Sequence, residues 1–166
     1  MYIPPWIGKS EEHLGVHELV GPGSNPVILA WRESLKPWAR AYFTDDDIAW
    51  CALAVNGILH EVGIAGPGTL AAKDFAGWGQ DAREHLGLGC VLVFTRPGGG
   101  GHVGFYIGER PDAFLVRGGN QGNKFCDTWI ARARLIAVRW PPGLELPYPS
   151  PVILAADGRP VSVNEG

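Results

Sequence analysis

The chain has 166 residues, enough for one packed domain with a short tail. Its net charge is −3 and its Lys and Arg residues are scattered singly, which excludes the basic footprint of a nucleic-acid binder and a polybasic membrane-surface patch. No apolar run approaches ~18 residues, so no membrane-inserted helix is expected, and residues 1–10 lack a basic start followed by an apolar run, so no signal peptide is expected either.

In chain order, residues 5–14 read as a short first helix. Gly15 to Asn25 reads as a turn-rich loop broken by Gly21, Pro22 and Gly23. Asn25-Pro26 reads as an N-cap with proline at the first helical position, opening a helix through Val27, Ile28, Trp31 and Leu35 that Pro37 ends. The clearest helix follows. Thr44 is its expected cap with Asp47 three residues on, and Ile48, Cys51, Ala52, Val55, Ile58, Leu59 and Val62 recur at helical spacing until Gly63 stops it. Residues 69–78 suggest an Ala-rich helix before Gly79.

The character then changes to strands. Val91 to Phe94 reads as a buried strand. His102 to Ile107 and Ala113 to Val116 read as two more, joined across residues 108–112, with Lys124 to Thr128 and Leu135 to Arg139 as weaker candidates. Helices first and strands after predict an α+β fold, with helices packed on a mainly antiparallel sheet of about five strands. Prolines at 141, 142, 147, 149 and 151 mark a change, so residues 1–141 are expected to form the domain and 142–166 a Pro-rich tail. Within that tail, Val152 to Val163 fits a small hairpin around Ala156-Asp157-Gly158, or a docking segment.

The chemistry centres on Cys51. An ordinary thiol is mostly protonated at neutral pH, and a helix N-terminus or a nearby imidazolium favours the reactive thiolate. Cys51 is placed where the helix end acts, although Asp45, Asp46 and Asp47 act against it. A core cysteine is the plain alternative. Gly98 to Gly101 stand directly before His102, and such a loop suits close approach of backbone to another chain. His102 opens a strand, where the sheet holds its ring. A second turn, Gly118-Gly119-Asn120-Gln121-Gly122, offers Asn120 as the residue that orients the ring, with Gln121 as its rival: alternation lets only one of them face His102. The three cysteines, 51, 90 and 126, make no disulfide framework and no Cys-x-x-Cys, so free thiols and no structural zinc are expected.

Four pieces together carry a resemblance: Trp50-Cys51-Ala52-Leu53-Ala54-Val55-Asn56, Gly101-His102-Val103-Gly104-Phe105-Tyr106, Gly118-Gly119-Asn120-Gln121-Gly122 and Arg139-Trp140-Pro141. With the upstream Gly15-Val16-His17-Glu18 and Gly21 to Pro26, the chain over about residues 5–141 resembles the papain-like NlpC-type and CHAP-type peptidoglycan hydrolases of bacteria and phages. The resemblance implies a papain-like fold, Cys51 as nucleophile, His102 as base and Asn120 as third catalytic residue, with Trp50, Gly101 and Gln121 near the substrate. It implies cleavage of an amide in peptidoglycan, by an endopeptidase or an N-acetylmuramoyl-L-alanine amidase, with no cofactor and no metal. An endolysin, a tail-associated lysin or an antibacterial effector fits, made in the cytoplasm and delivered to the periplasm or wall by a holin, a phage tail or a secretion system. Cys90 departs from the pattern, which has a polar residue, often Asp, at that turn.

Other signals lead elsewhere. Gly99-x-Gly101-x-x-Gly104 matches a dinucleotide fingerprint by letter but leads into a strand. His13 and His17 lack a third ligand, and Asp45 to Asp47 do not alternate as a calcium loop does. Two other functions stay open: a non-catalytic interaction domain of a phage-like assembly, and a papain-like amidohydrolase acting on a substrate outside the wall.

Overall fold

The computed structural model describes residues 2–19, 23–44 and 49–165. Among the described residues, four α-helices precede the main strands: α1 (Pro5–Glu11), α2 (Pro26–Ala30), α3 (Pro37–Tyr42) and α4 (Cys51–Glu61). Seven strands follow: β1 (Gln80–Asp81), β2 (Val91–Thr95), β3 (Gly101–Arg110), β4 (Ala113–Gly118), β5 (Cys126–Ala131), β6 (Leu135–Trp140) and β7 (Val161–Ser162). They form one sheet in the order β1-β6-β2-β3-β4-β5-β7. The α+β class expected from helices-then-strands is present.

The sheet is larger than expected and mixed. The five expected strands are all there, antiparallel to their neighbours, but β7 joins β5 in parallel and β1 adds to β6. Each of these extra strands has two residues, too short for any alternation to reveal it.

Helix α4 is the axis of the core. Its residues from Cys51 to Leu59 are all buried, against Trp31 on one side and β3 on the other. Close packing needs Gly57, because a Cβ there would lie 2.2 Å from the Trp31 ring. One polar residue is buried in this helix. Asn56 Nδ2 donates to the Ala52 and Thr69 carbonyls, and its Oδ1 accepts from Gly68 N–H at 2.9 Å. Its hydrogen-bonding capacity is thereby largely used, which offsets its burial and ties the loop after α4 back to the helix. The helix begins at Cys51, with Trp50 at the cap and no side-chain capping bond. The expected capping pair rests partly on Asp47, which lies outside the described residues, as does Ile48.

Several boundaries differ from expectation for identifiable reasons. Asn25 caps α2 as read, its Oδ1 accepting from Val27 N–H at 2.9 Å. That helix tightens into a 3₁₀ turn over Trp31–Ser34, and Pro37 opens α3 instead of closing α2. Proline has no N–H to lose at the first helical position, so it suits a start as well as a stop. The segment 69–78 forms a 3₁₀ turn over Ala72–Gly77 instead of an α-helix. Its buried anchors, Ala72 and Phe75, are three apart, which is the 3₁₀ repeat.

No hairpin forms over Val152 to Val163. Ile153 instead bridges in parallel to Glu109, and Leu154 N–H donates to the Glu109 carbonyl at 2.8 Å. Gly108 makes this possible, because a Cβ there would lie 2.4 Å from Leu154. Trp129 Nε1 then donates to Asp157 Oδ1 at 2.9 Å. The tail lies along the chain's own sheet.

Candidate active site

Cys51 is the first residue of α4 and is 5% exposed. Beside its sulfur lies the backbone N–H of Val103 on β3, with the N–H groups of Ala52 and Cys51 itself at the helix start. These donors and the Arg96 charge favour a thiolate. Burial outweighs them and pushes the Cys51 thiol above its ordinary value. The helix-end effect expected from sequence is therefore overridden by desolvation.

His102 precedes Val103 on β3 and is fully buried. Its Nε2 lies 2.8 Å from Gln121 Oε1. The orientation of that amide is fixed, because Gln121 Nε2 donates to the Val116 carbonyl at 3.1 Å and to the Cys126 carbonyl at 2.6 Å. Oε1 can only accept, so the proton of a neutral imidazole belongs on Nε2. His102 Nδ1 then carries the lone pair. It is buried with no hydrogen-bond partner, so Cys51 and His102 are not hydrogen-bonded to each other in this conformation. Burial first of all lowers the His102 pKa to about 4, against the raising effects of Glu165 and Gln121. The resting pair is a neutral thiol and a neutral imidazole.

Glycines make room for this arrangement. A Cβ on Gly118 would lie 2.9 Å from Gln121 Oε1. On Gly119 it would lie 2.6 Å from Trp50 and 3.0 Å from Ala54, so this turn packs directly on the start of α4. On Gly104 it would strike Val116 and the Arg117 carbonyl. Gly98, Gly99 and Gly100 all have φ near +90°, a region closed to most side chains, and they form the exposed β2–β3 turn leading to His102.

The structure brings Cys51, His102 and Gln121 to one region, and it places Gln121, not Asn120, against the imidazole. Asn120 takes a left-handed conformation with φ 60°, and its Nδ2 donates to the Glu165 carbonyl at 3.0 Å. Trp50 is fully buried and stacks toward Trp31, and its Nε1 donates to Glu18 at 2.7 Å. It packs beside the cysteine and offers no exposed face. Gly101 abuts the Lys73 side chain and the Phe94 carbonyl. The upstream segment 15–18 straps the 120–125 turn. Gly15 N–H donates to Phe125, Phe125 N–H to Val16, and Glu18 N–H to Asn123.

All three cysteines are unpaired. Cys90 is buried, and burial pushes its thiol up to about 11. Cys126 Sγ donates to the Gln121 carbonyl at 3.3 Å, so it braces the residue that holds His102. His13 pairs with Glu61 at 2.8 Å, and His17 bridges to Lys124. An apolar groove lined by Tyr2, Leu88, Trp140, Leu146, Tyr148 and Val152 includes none of these reactive side chains.

Three charged residues near His102 were not singled out from sequence: Arg96, Arg134 just before β6, and Glu165. Arg96 ends the β2 side of the glycine turn, and its guanidinium lies 3.3 Å from where a Gly100 Cβ would stand. Glu165 comes from the tail. For Arg96, adjacency to the glycine run was a usable signal. For Glu165 there was none, since an acid in a Pro-rich tail reads as solvated. Comparison with protein-family models and with curated proteins returns no match.

Proposed function

We propose that this chain is a cysteine hydrolase of the papain-like, NlpC/CHAP-type kind that cleaves an amide bond in peptidoglycan stem peptides or cross-links. The observation that carries the reading is the state of His102. Its Nε2–H is committed to a rigidly held Gln121, and its bare Nδ1 is buried without a partner, one residue from the backbone N–H that faces the Cys51 sulfur. A buried nitrogen lone pair left unsatisfied costs about 1–3 kcal/mol. A base awaiting a proton explains that cost, and contacts between base and nucleophile commonly tighten only when substrate binds.

In the proposed reaction Cys51 Sγ attacks the amide carbon while its proton passes to His102 Nδ1. The developing oxyanion accepts from backbone N–H at the start of α4. The imidazolium then gives its proton to the leaving amine, and a thioester remains. Water, deprotonated by Nδ1, attacks the thioester and releases the acid and the free thiol. Gln121 holds the tautomer throughout. Peptidoglycan as substrate rests on the resemblance of the Trp-Cys, Gly-His-Val-Gly and Gly-Gly-Asn-Gln segments, and it places the site of action in the periplasm or wall after delivery.

The test is release of fragments from purified Gram-negative sacculi by the wild type and by Cys51→Ala, with the products read by mass spectrometry. Cys51-dependent release is expected, and the fragment masses separate endopeptidase from amidase cleavage. A non-catalytic interaction domain is the second reading. It is favoured by the near-complete burial of Cys51 and His102 and the absence of a hydrogen bond between them. It requires that neither protein release anything and that Cys51 be inert to alkylation.

A further inference from the structure

Of the ten arginines in the chain, nine donate from the guanidinium to a carboxylate or a carbonyl. Arg96 is the exception: it is half-buried, and among the described residues its guanidinium has neither a hydrogen bond nor an ion pair. The backbone beneath it is fixed. Gly99 N–H donates to the Arg96 carbonyl at 3.2 Å and closes the turn Arg96-Pro97-Gly98-Gly99. Proline second and a glycine with φ 84° third are what a type II turn requires. The guanidinium folds back over this turn, 3.3 Å from where a Gly100 Cβ would stand. At the next residue the Lys73 stem crosses Gly101, with Cε 3.5 Å from where that Cβ would stand. Lys73 belongs to the 3₁₀ turn Ala72–Gly77, which packs on β2 and β3.

Two cations therefore lie along Gly100-Gly101, the two residues that lead into His102 and then into Val103, whose N–H faces the Cys51 sulfur. Neighbouring charges are already engaged. Arg134 reaches the same turn, its Nε donating to the Thr95 carbonyl at 3.0 Å, but its guanidinium is paired with Glu165. Asp74, beside Lys73, accepts from Thr69 Oγ1 at 2.5 Å. A half-buried guanidinium gives up part of its hydration, and an anion brought by the substrate would offset that loss. Resting on the hydrolase reading, we propose that Arg96 and Lys73 form a carboxylate-binding subsite, so that the substrate is an acidic peptide with a free carboxylate close to the amide that is cut. Arg96 supplies a planar fork that binds both carboxylate oxygens, and Lys73 adds a single charge. The peptide lies over the exposed turn, where Gly98, Gly99 and Gly100 have no side chains to obstruct it. No bond or proton changes hands at this subsite; it holds the substrate in place.

The test measures binding instead of turnover. It uses the full chain carrying Cys51→Ala and a disaccharide stem peptide of the Gram-negative wall in two forms, one with free carboxylates and one with those carboxylates as primary amides. In calorimetry the free acid is expected to bind about tenfold more tightly than the amide. Arg96→Gln, added to Cys51→Ala, is expected to weaken binding of the free acid about fivefold to fiftyfold and to leave binding of the amide within about twofold. Lys73→Gln is expected to cost the free acid about twofold to fivefold, as a more exposed charge. Because the Arg96 guanidinium holds nothing in the fold, Arg96→Gln should melt with its parent, and Arg96→Lys should recover only part of the affinity. Equal affinity for the two forms overturns the proposal, and so does an Arg96→Gln loss of the same size for both, or no binding of either. The two readings fail separately. A wild type that releases no Cys51-dependent fragments removes the hydrolase and leaves carboxylate-dependent binding through Arg96 standing, whereas Cys51-dependent release with no role for Arg96 in binding removes the subsite alone.

Discussion

Gln121 and Asn120 are adjacent and chemically alike, and the structure gives them different work. Gln121→Ala deletes the acceptor for His102 Nε2–H and both donors to the Val116 and Cys126 carbonyls. A hydrogen bond to a group that becomes charged is worth about 1.5–3 kcal/mol. The bond already exists to the neutral ring, so only its strengthening on protonation, about 1–1.5 kcal/mol, acts on the chemical step, and the hydrolase reading expects a slowing of about 5- to 15-fold. Loss of the two carbonyl contacts adds a stability cost of about 2–4 kcal/mol, which lowers Tm by roughly 5–15 °C for a chain of this size. Asn120→Gly keeps the left-handed backbone and removes only the contact to the tail, so its rate loss is expected to be several-fold smaller. The assay is the initial rate of fragment release from sacculi, at a temperature where thermal melts show both variants folded. A larger loss in Asn120→Gly than in Gln121→Ala would falsify the assignment of Gln121 as the residue that orients His102.

Three further outcomes follow from the same geometry. The His102 pKa is lowered from 6.5 to about 4 in the fold, so the folded state prefers the neutral ring. The stability from this preference is present above about pH 6.5 and lost as pH falls toward 4, up to roughly 3 kcal/mol. Urea midpoints measured at pH 7 and pH 4.5 should differ less in His102→Gln than in the wild type, and equal differences would remove burial as the cause. Because the Cys51 thiol is raised by burial, its alkylation by iodoacetamide should be slow at pH 7 and climb above pH 9, whereas fast alkylation at pH 6 would show a resting thiolate. Gly119→Ala places a Cβ 2.6 Å from Trp50. It should destabilise the chain by about 1–3 kcal/mol and, on the hydrolase reading, slow fragment release by moving the Gln121 turn, and a variant that melts with the wild type would contradict the packing.

What the sequence revealed follows from which forces act locally. Asn25-Pro26 announced α2 because cap and proline chemistry is decided within three residues. The β2–β4 strands were legible because runs such as Val91 to Phe94 are apolar enough to be buried on both faces. The start of α4 was expected earlier, at a Thr44 cap, and lies at Cys51 with Trp50 as the cap; its burial on all sides was not foreseen either, since a stripe pattern assumes one solvated face. Alternation narrowed the third residue to Asn120 or Gln121 and could not choose, because the choice depends on which side chain the Val116 and Cys126 carbonyls anchor. The tail was misread for a related reason. Pro-rich segments form few local contacts, and the pairing of Val161-Ser162 with β5 and of Glu165 with Arg134 is long-range.

The resting charge state bears on how such a site works. A helix N-terminus favours an anion by about 0.3–1 kcal/mol at exposed sites and up to ~2 in partly buried ones. Burial here pushes the Cys51 thiol up and the His102 imidazole down, and both directions oppose an ion pair. A preformed thiolate–imidazolium is therefore disfavoured in the resting fold, and on the hydrolase reading the charges develop together as the sulfur closes on the amide carbon. Interactions that strengthen only with that charge accelerate the step without tightening the ground state. Gln121 at Nε2 and the backbone N–H groups beside Cys51 are of this type. On the hydrolase reading, the group behind His102 therefore counts for more in the rate than the helix end at Cys51.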